Sequence, residues 1–174
     1  MSSTKALARV VPSLTPDLIS SVVDLARAYP FPHSIFNGRD VAAYVRKLNR
    51  TQAETGEGWF TCMVNGQESM VAATAHLSVY GYGRRDGHTL WKIRHPLARP
   101  DSGSDVFEEL FLGLAEQALL LMPGTAKLVM FLGEHERDAA NGAIQAGFNR
   151  EASLADYYRL DEICYIYGKT LRQP

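Results

Sequence analysis

The stretch from residue 104 to 122 constrains the fold more than any other. Val106, Phe107, Leu110, Phe111, Leu114, Ala115 and Ala118 recur at helical spacing, and Leu119 to Met122 extend the apolar surface over more than half the circumference. A helix that apolar cannot face water on most sides, so the pattern predicts a helix lying against a sheet, largely buried. Pro123-Gly124 ends it, and Ala126 to Leu132 follow as a nearly continuous apolar run, the signature of a strand covered on both faces. Ahead of the helix, His88 to His95 read as a strand that stops at Pro96. Strand, long helix and strand together predict a β-α-β crossover near the middle of a sheet.

The flanking sequence supplies antiparallel partners. Trp59 to Val64 and Ser69 to Tyr80 are rich in β-branched and aromatic residues, and Asn65-Gly66 between them is a strong hairpin signal. Phe148 to Leu160 and Ile163 to Thr170 read as a closing pair of strands around Asp161-Glu162, after a short helix from Arg137 to Ala146 that ends at Gly147. Near the N-terminus, residues 5 to 11 look like a strand. Thr15-Pro16 then opens a helix as N-cap and first helical residue, and a second helix runs from about Arg39 to Ala53. The predicted order is β-α-α-β-β-β-α-β-α-β-β. The fold class is α/β (α+β), a mixed, mostly antiparallel central sheet flanked by helices.

At 174 residues and 46% hydrophobic, the chain suits one domain spanning residues 1–174, with no repeat or linker to divide it. A chain of this length buries roughly 70% of its unfolded surface, which needs no disulfide or metal staple. Eighteen Lys and Arg against 19 Asp and Glu leave a net charge of -1, which argues against a nucleic-acid partner. The longest apolar stretch, Ala118 to Pro123, is far short of a bilayer span, so no membrane association is expected. Cys62 and Cys164 each lie within apolar runs, as reduced core thiols do, and the polar N-terminus has no apolar segment of the export type. A cytoplasmic setting follows as the expectation.

Two local motifs add a resemblance. Ala143-Ile144-Gln145-Ala146-Gly147-Phe148 is followed by Ala155-Asp156-Tyr157-Tyr158, and His95-Pro96-Leu97-Ala98-Arg99 precedes the long helix. With the element order, these resemble the GNAT superfamily of acyl-CoA-dependent N-acyltransferases over nearly the whole chain. The resemblance implies acetyl-CoA or another acyl-CoA as co-substrate and a small-molecule amine or a protein as acceptor. It also implies a pyrophosphate loop at Arg99-Pro100-Asp101-Ser102-Gly103-Ser104, where small residues let backbone N–H groups and the helix dipole reach the phosphates. Arg99 matches the family pattern; Ser102 and Ser104 stand at its glycine positions, with Gly103 between them. Asp101, Asp105, Glu108 and Glu109 crowd the loop with negative charge, which Lys92, Arg94 and Arg99 would offset from the same cleft. The alternative for this segment is helix capping, with Ser102 and Asp105 as the box.

By the same resemblance, backbone N–H near Arg94 would polarise the thioester carbonyl. The family's acidic Tyr position is Ala143 here, and its usual base position is Leu90. Proton transfer would then come from other groups near the cleft: His95, His76, Glu134, His135, Tyr157 and Tyr158, of which His95 and Tyr157 are the catalytic candidates. His95 alternates with Trp91 and Ile93, so a histidine packed on an apolar face is its other reading. Glu134-His135-Glu136 reads first as a solvated helix start, although it follows a strand end where binding residues often sit, and no further ligand pair has zinc-like spacing, so no metal is expected. Tyr157 and Tyr158, on a strand, would face opposite sides. The Tyr80 to Gly87 segment fits a substrate loop or an ordinary hairpin. Phe31, Phe36 and Tyr44 would make the acceptor surface aromatic. Three outcomes remain open on sequence: an acyltransferase, a catalytically inactive GNAT-fold module for a ligand or a protein partner, and a structural subunit. Tyr157, Tyr158, Tyr165 and Tyr167 would support a homodimer in any of them.

Overall fold

A computed structural model of the chain describes residues 14–29, 40–49, 57–64, 67–85, 87–121 and 124–172. The predicted first strand at residues 5 to 11, the loop with Phe31 and Phe36, and the Asn65-Gly66 turn lie outside the described residues. Helix α1 (Pro16–Ala28) starts as the sequence suggests, with Thr15 Oγ1 accepting from Leu18 N at 3.4 Å and Pro16 in the first turn. It buries Leu18, Val22, Val23, Leu25 and Ala26, and α2 (Val41–Asn49) buries Val45.

Strands β1 (Gly58–Val64), β2 (Gln67–Arg85) and β3 (His88–Ala98) pair antiparallel in sequence order. Helix α3 (Gly103–Leu121) then carries the chain over to β4 (Thr125–Gly133), which pairs parallel with β3. Helix α4 (Arg137–Gln145) leads to β5 (Asn149–Ala155) and β6 (Ile163–Arg172), and β6 inserts between β4 and β5. Among the described residues the sheet order is β1-β2-β3-β4-β6-β5, with β3 and β4 the parallel pair. The mixed, mostly antiparallel sheet and its α3 crossover agree with the periodicity argument. No described helix is long and apolar enough to cross a membrane.

The core forms where both sheet faces are covered. Residues 71–78 of β2 are buried without alternation, and Trp59, Trp91 and Phe111 are fully buried. On α3, Phe107 and Phe111 stack at 5.9 Å, and Phe148, just past α4, meets Phe111 at 5.8 Å. Helix α4 packs so tightly on α3 that a Cβ at Gly142 would lie 2.7 Å from the Ser104 carbonyl oxygen. Cys62 and Cys164 are buried free thiols; burial pushes them up to about 12 and about 11.

Two sequence expectations are corrected. Strand β3 does not stop at Pro96. It runs on to Ala98, because the pairing with β2 shifts between Thr74 and His76, leaving an extra residue at a bulge around His95 and Pro96. A proline lacks the N–H that a ladder requires, and a bulge is a place where no donor is missed. The second correction is that β5 ends at Ala155, not Leu160. Asp156 and Asp161 both adopt positive φ (56° and 63°), and Asp161 N donates to Asp156 Oδ1 at 2.7 Å, closing a turn. Aspartate tolerates that conformation through such local hydrogen bonds. Tyr157 and Tyr158 therefore stand in a turn, and their rings meet edge-on at 4.9 Å rather than facing opposite sides.

Candidate active site

The site begins where the parallel pair comes apart. Pairing of β3 with β4 runs from His88–Thr125 to Ile93–Met130 and ends there. Beyond it, Arg94 to Ala98 and Phe131 to Gly133 no longer pair with each other. The bulge sits at this fork, with His95 at φ 50°. A non-glycine residue in the left-handed region stores strain, which is typical of positions fixed by their surroundings.

At the wide end of the fork lies a cleft of about 310 Å³, lined in part by Tyr29, Arg99, Gly103, Phe107, Glu136 and Arg137. One wall is the loop from β3 to α3. Arg99 N donates to Ala72 O at 2.9 Å, extending the β2 pairing, and Ser102 N donates to Arg99 O at 3.0 Å to close a turn. Gly103 then takes φ 68°, a conformation that favours glycine, with open space around it. Ser104 begins the first full turn of α3, whose N–H groups have no intrahelical acceptor and present the positive end of the helix dipole. The Arg99 side chain lies between Met70 Sδ (Nη1 at 3.4 Å) and Asp101 Oδ1 (Nε at 3.6 Å). Both partners of that ion pair are substantially exposed, so an anion can displace Asp101 at little cost.

The opposite wall is built on Glu136. Sequence reasoning allowed a solvated helix start at Glu134-His135-Glu136, but Glu136 is 2% exposed. Its Oε2 accepts from Gly133 N at 2.7 Å and its Oε1 from the Tyr29 hydroxyl at 3.3 Å, tying α1 to the end of β4. Burial first, then the Glu136 carboxylate, holds the Tyr29 proton well above the usual phenol range. Nothing in the sequence separates Glu136 from its neighbour Glu134, whose Oε1 accepts from Ile163 N at 3.3 Å; only the turn geometry does.

The candidate residues divide into three groups. Arg99, Ser102, Gly103 and Ser104 come together in the loop, with Arg99 and Gly103 on the cleft. His95 is 7% exposed, and its Nε2 lies 3.1 Å from the Tyr44 hydroxyl, with Trp59 at 6.3 Å between ring centres. Register pairs put Trp59, His76 and Arg94 on one sheet face, opposite Trp91 and Ile93. The bulge thus turns His95 away from the Trp91–Ile93 face on which simple alternation had put it. Tyr157 belongs to the third group. Its ring stacks on Phe131 at 5.5 Å, and Phe131 is the first β4 residue beyond the last β3 pair.

That third group was not assembled by sequence reasoning. Lys92 of β3 projects from the same face as Arg94 and carries its Nζ 4.2 Å above the Phe131 ring and 5.1 Å above the Tyr80 ring. Burial, then Arg94, lowers the Lys92 pKa. Tyr158 is held above the usual phenol range, first by burial and then by Cys164. Lys92, Phe131, Tyr157 and Cys164 come from three strands and a turn, so no local spacing could have linked them.

No protein-family model matches the sequence, and no curated protein matches it. Solved structures do match. A GNAT superfamily phosphinothricin acetyltransferase from Sinorhizobium meliloti, in complex with acetyl-CoA, superposes with a TM-score of 0.69 at 14% identity, covering 95% of this chain and 89% of its own. Spermidine N-acetyltransferase from Vibrio cholerae, with CoA and spermine, gives 0.66 at 10% identity over 95% and 96% of the two chains. The ribosomal-protein-S18-alanine N-acetyltransferase of Escherichia coli gives 0.61 at 16% identity over 95% of each. The element order, the forked parallel pair and these superpositions agree, and the chain has the fold of the GNAT superfamily.

Proposed function

We propose that the protein transfers an acyl group from acyl-CoA to an amine. The observation that carries this reading is the fork itself: β3 and β4 part beyond Ile93 and Met130, directly beside a helix N-terminus that bears Arg99. Arg99, Ser102, Gly103 and Ser104 would hold the pyrophosphate. The edge of β3 beyond its pairing with β4 suits an extended pantetheine arm, whose amides could pair with strand backbone. A thioester carbonyl near the bulge would be polarised by backbone N–H at Arg94.

The reaction joins the amine nitrogen to the acyl carbon and breaks the carbon–sulfur bond. The amine loses a proton and the leaving thiolate gains one. We assign the first transfer to His95, backed by the Tyr44 hydroxyl, and the second to Tyr157 on the other side of the fork. The acceptor is a small amine or a protein amine. Two buried free thiols support a reducing, cytoplasmic setting.

One observation favours a second reading, an inactive fold that only binds a ligand or protein. Ala143, at the position where related enzymes carry their acidic Tyr, is fully buried and brings no proton donor to the cleft. A thiol-release assay with acetyl-CoA and a panel of amines separates the two. The enzyme reading expects turnover, with Arg99→Ala raising the KM for acetyl-CoA about tenfold or more. It also expects His95→Ala and Tyr157→Phe to lower kcat with that KM little changed. Binding of acetyl-CoA without any thiol release would favour the inactive module.

A further inference from the structure

We infer that the acceptor is an amine that also carries a carboxylate and an apolar side chain, with Lys92 and Arg94 receiving the carboxylate. This rests on the acyltransferase reading above and names the substrate class for the same site.

Lys92 and Arg94 are two apart on β3, so they project from the same face about 7 Å apart along the strand. Among the described residues neither side chain makes a hydrogen bond or an ion pair. The Lys92 Nζ lies over the Tyr80 and Phe131 rings, and Arg94 Nε is buried without a hydrogen-bond partner among the described residues. Three carboxylates around the cleft have partners other than these cations: Glu136 accepts from Gly133 and Tyr29, Glu134 from Ile163 N, and Asp101 pairs with Arg99. Two half-buried cations side by side repel each other, and a fold retains them at a cost unless an anion joins them. A carboxylate between the two would offset that repulsion and satisfy the buried guanidinium nitrogen.

The surroundings narrow the ligand further. Phe131, Tyr80 and Tyr157 form a connected aromatic wall above Lys92, and Tyr80 and Tyr157 remain 37% and 48% exposed. Such a wall buries an apolar side chain well, and the two cations beside it repel a polyamine. The wall stands at the fork, so a carboxylate held at Lys92 and Arg94 leaves the amine of a compact amino acid within reach of a thioester at the bulge.

The test compares phenylalanine, phenylalaninamide and spermidine as additives and as acceptors, using the full chain saturated with CoA for melting and acetyl-CoA for turnover. Phenylalanine is expected to raise the melting temperature and to be acylated with a kcat/KM at least tenfold above that of its amide. Lys92→Met, which keeps the apolar stem over the rings, is expected to erase that preference while the shift produced by acetyl-CoA alone persists. Lys92→Arg is expected to restore it. Equal or better performance by phenylalaninamide or spermidine, or no stabilisation by phenylalanine, would overturn the inference while leaving the acyltransferase reading intact. A fall in acetyl-CoA affinity in Lys92→Met would overturn it too, by assigning the cations to the cofactor. Failure of the unaltered protein to bind acetyl-CoA at all would remove the reading on which it stands. Should Lys92→Met not fold, the acid-to-amide ratio of the unaltered protein and Arg94→Gln still decide.

Discussion

Gly142→Ala is expected to cost about 1–3 kcal/mol of stability, the usual penalty for forcing an extra carbon into a close-packed contact. The new Cβ would fall 2.5 Å from Phe107 Cβ, 2.7 Å from the Ser104 carbonyl oxygen and 2.9 Å from the Glu108 amide nitrogen. Two of those atoms are backbone of α3, so no side chain can swing aside to make room. The helices must separate, and Ser104 opens the helix that forms one wall of the cleft. The substitution should therefore lower both the melting temperature and the affinity for acetyl-CoA. Gly103→Ala is the informative contrast, because its Cβ meets nothing within 4 Å and the only penalty is the positive φ, about 1 kcal/mol. Denaturant titration of both variants checks the ranking; an unperturbed Gly142→Ala would mean that α4 does not rest on α3 as described.

His76 should make the fold acid-sensitive. It lies on β2 between Trp59 and Arg94, 3% exposed, and burial followed by the Arg94 charge lowers its pKa to about 4. An unfolded chain binds the proton near pH 6.5, so between those values the unfolded state takes up more protons than the folded one. The stabilisation from a neutral His76 is fully present above pH 6.5 and is lost as the pH falls towards 4, in total roughly 3 kcal/mol. Carboxylates titrate in part of the same range, so the comparison must be with a variant. His76→Gln is expected to flatten the stability profile between pH 7 and 4.5 by most of that amount, read by urea denaturation at each pH. Parallel profiles for the two proteins would show that His76 binds its proton in the fold as readily as in the unfolded chain.

How far the sequence reveals the architecture depends on whether a signal is local. The α3 crossover is legible because one helix is too apolar for any other place, and Thr15-Pro16 marks a helix start by side-chain chemistry alone. Arg99 to Ser104 is legible as a loop because its spacing is contained in six residues. The bulge at His95 is not, since Pro96 reads as a strand stop unless the register of β2 is known. Tyr157 and Tyr158 misled for a related reason: aromatic residues favour strands, and the aspartates that end β5 act through backbone angles that composition does not disclose. The Lys92 group and buried Glu136 are tertiary facts. They arise from β3, β4, β6 and two turns meeting at the fork, and no residue taken singly points to the others.

The central claim is that acyl-CoA occupies the fork between β3 and β4 with its pyrophosphate at Arg99. Calorimetric titration of acetyl-CoA into the protein and into Arg99→Ala tests it most directly. The account predicts one saturable site, weakened about tenfold or more by the substitution, as for the loss of a charge-assisted contact. No binding to the unaltered protein, or the same affinity in Arg99→Ala, would contradict it.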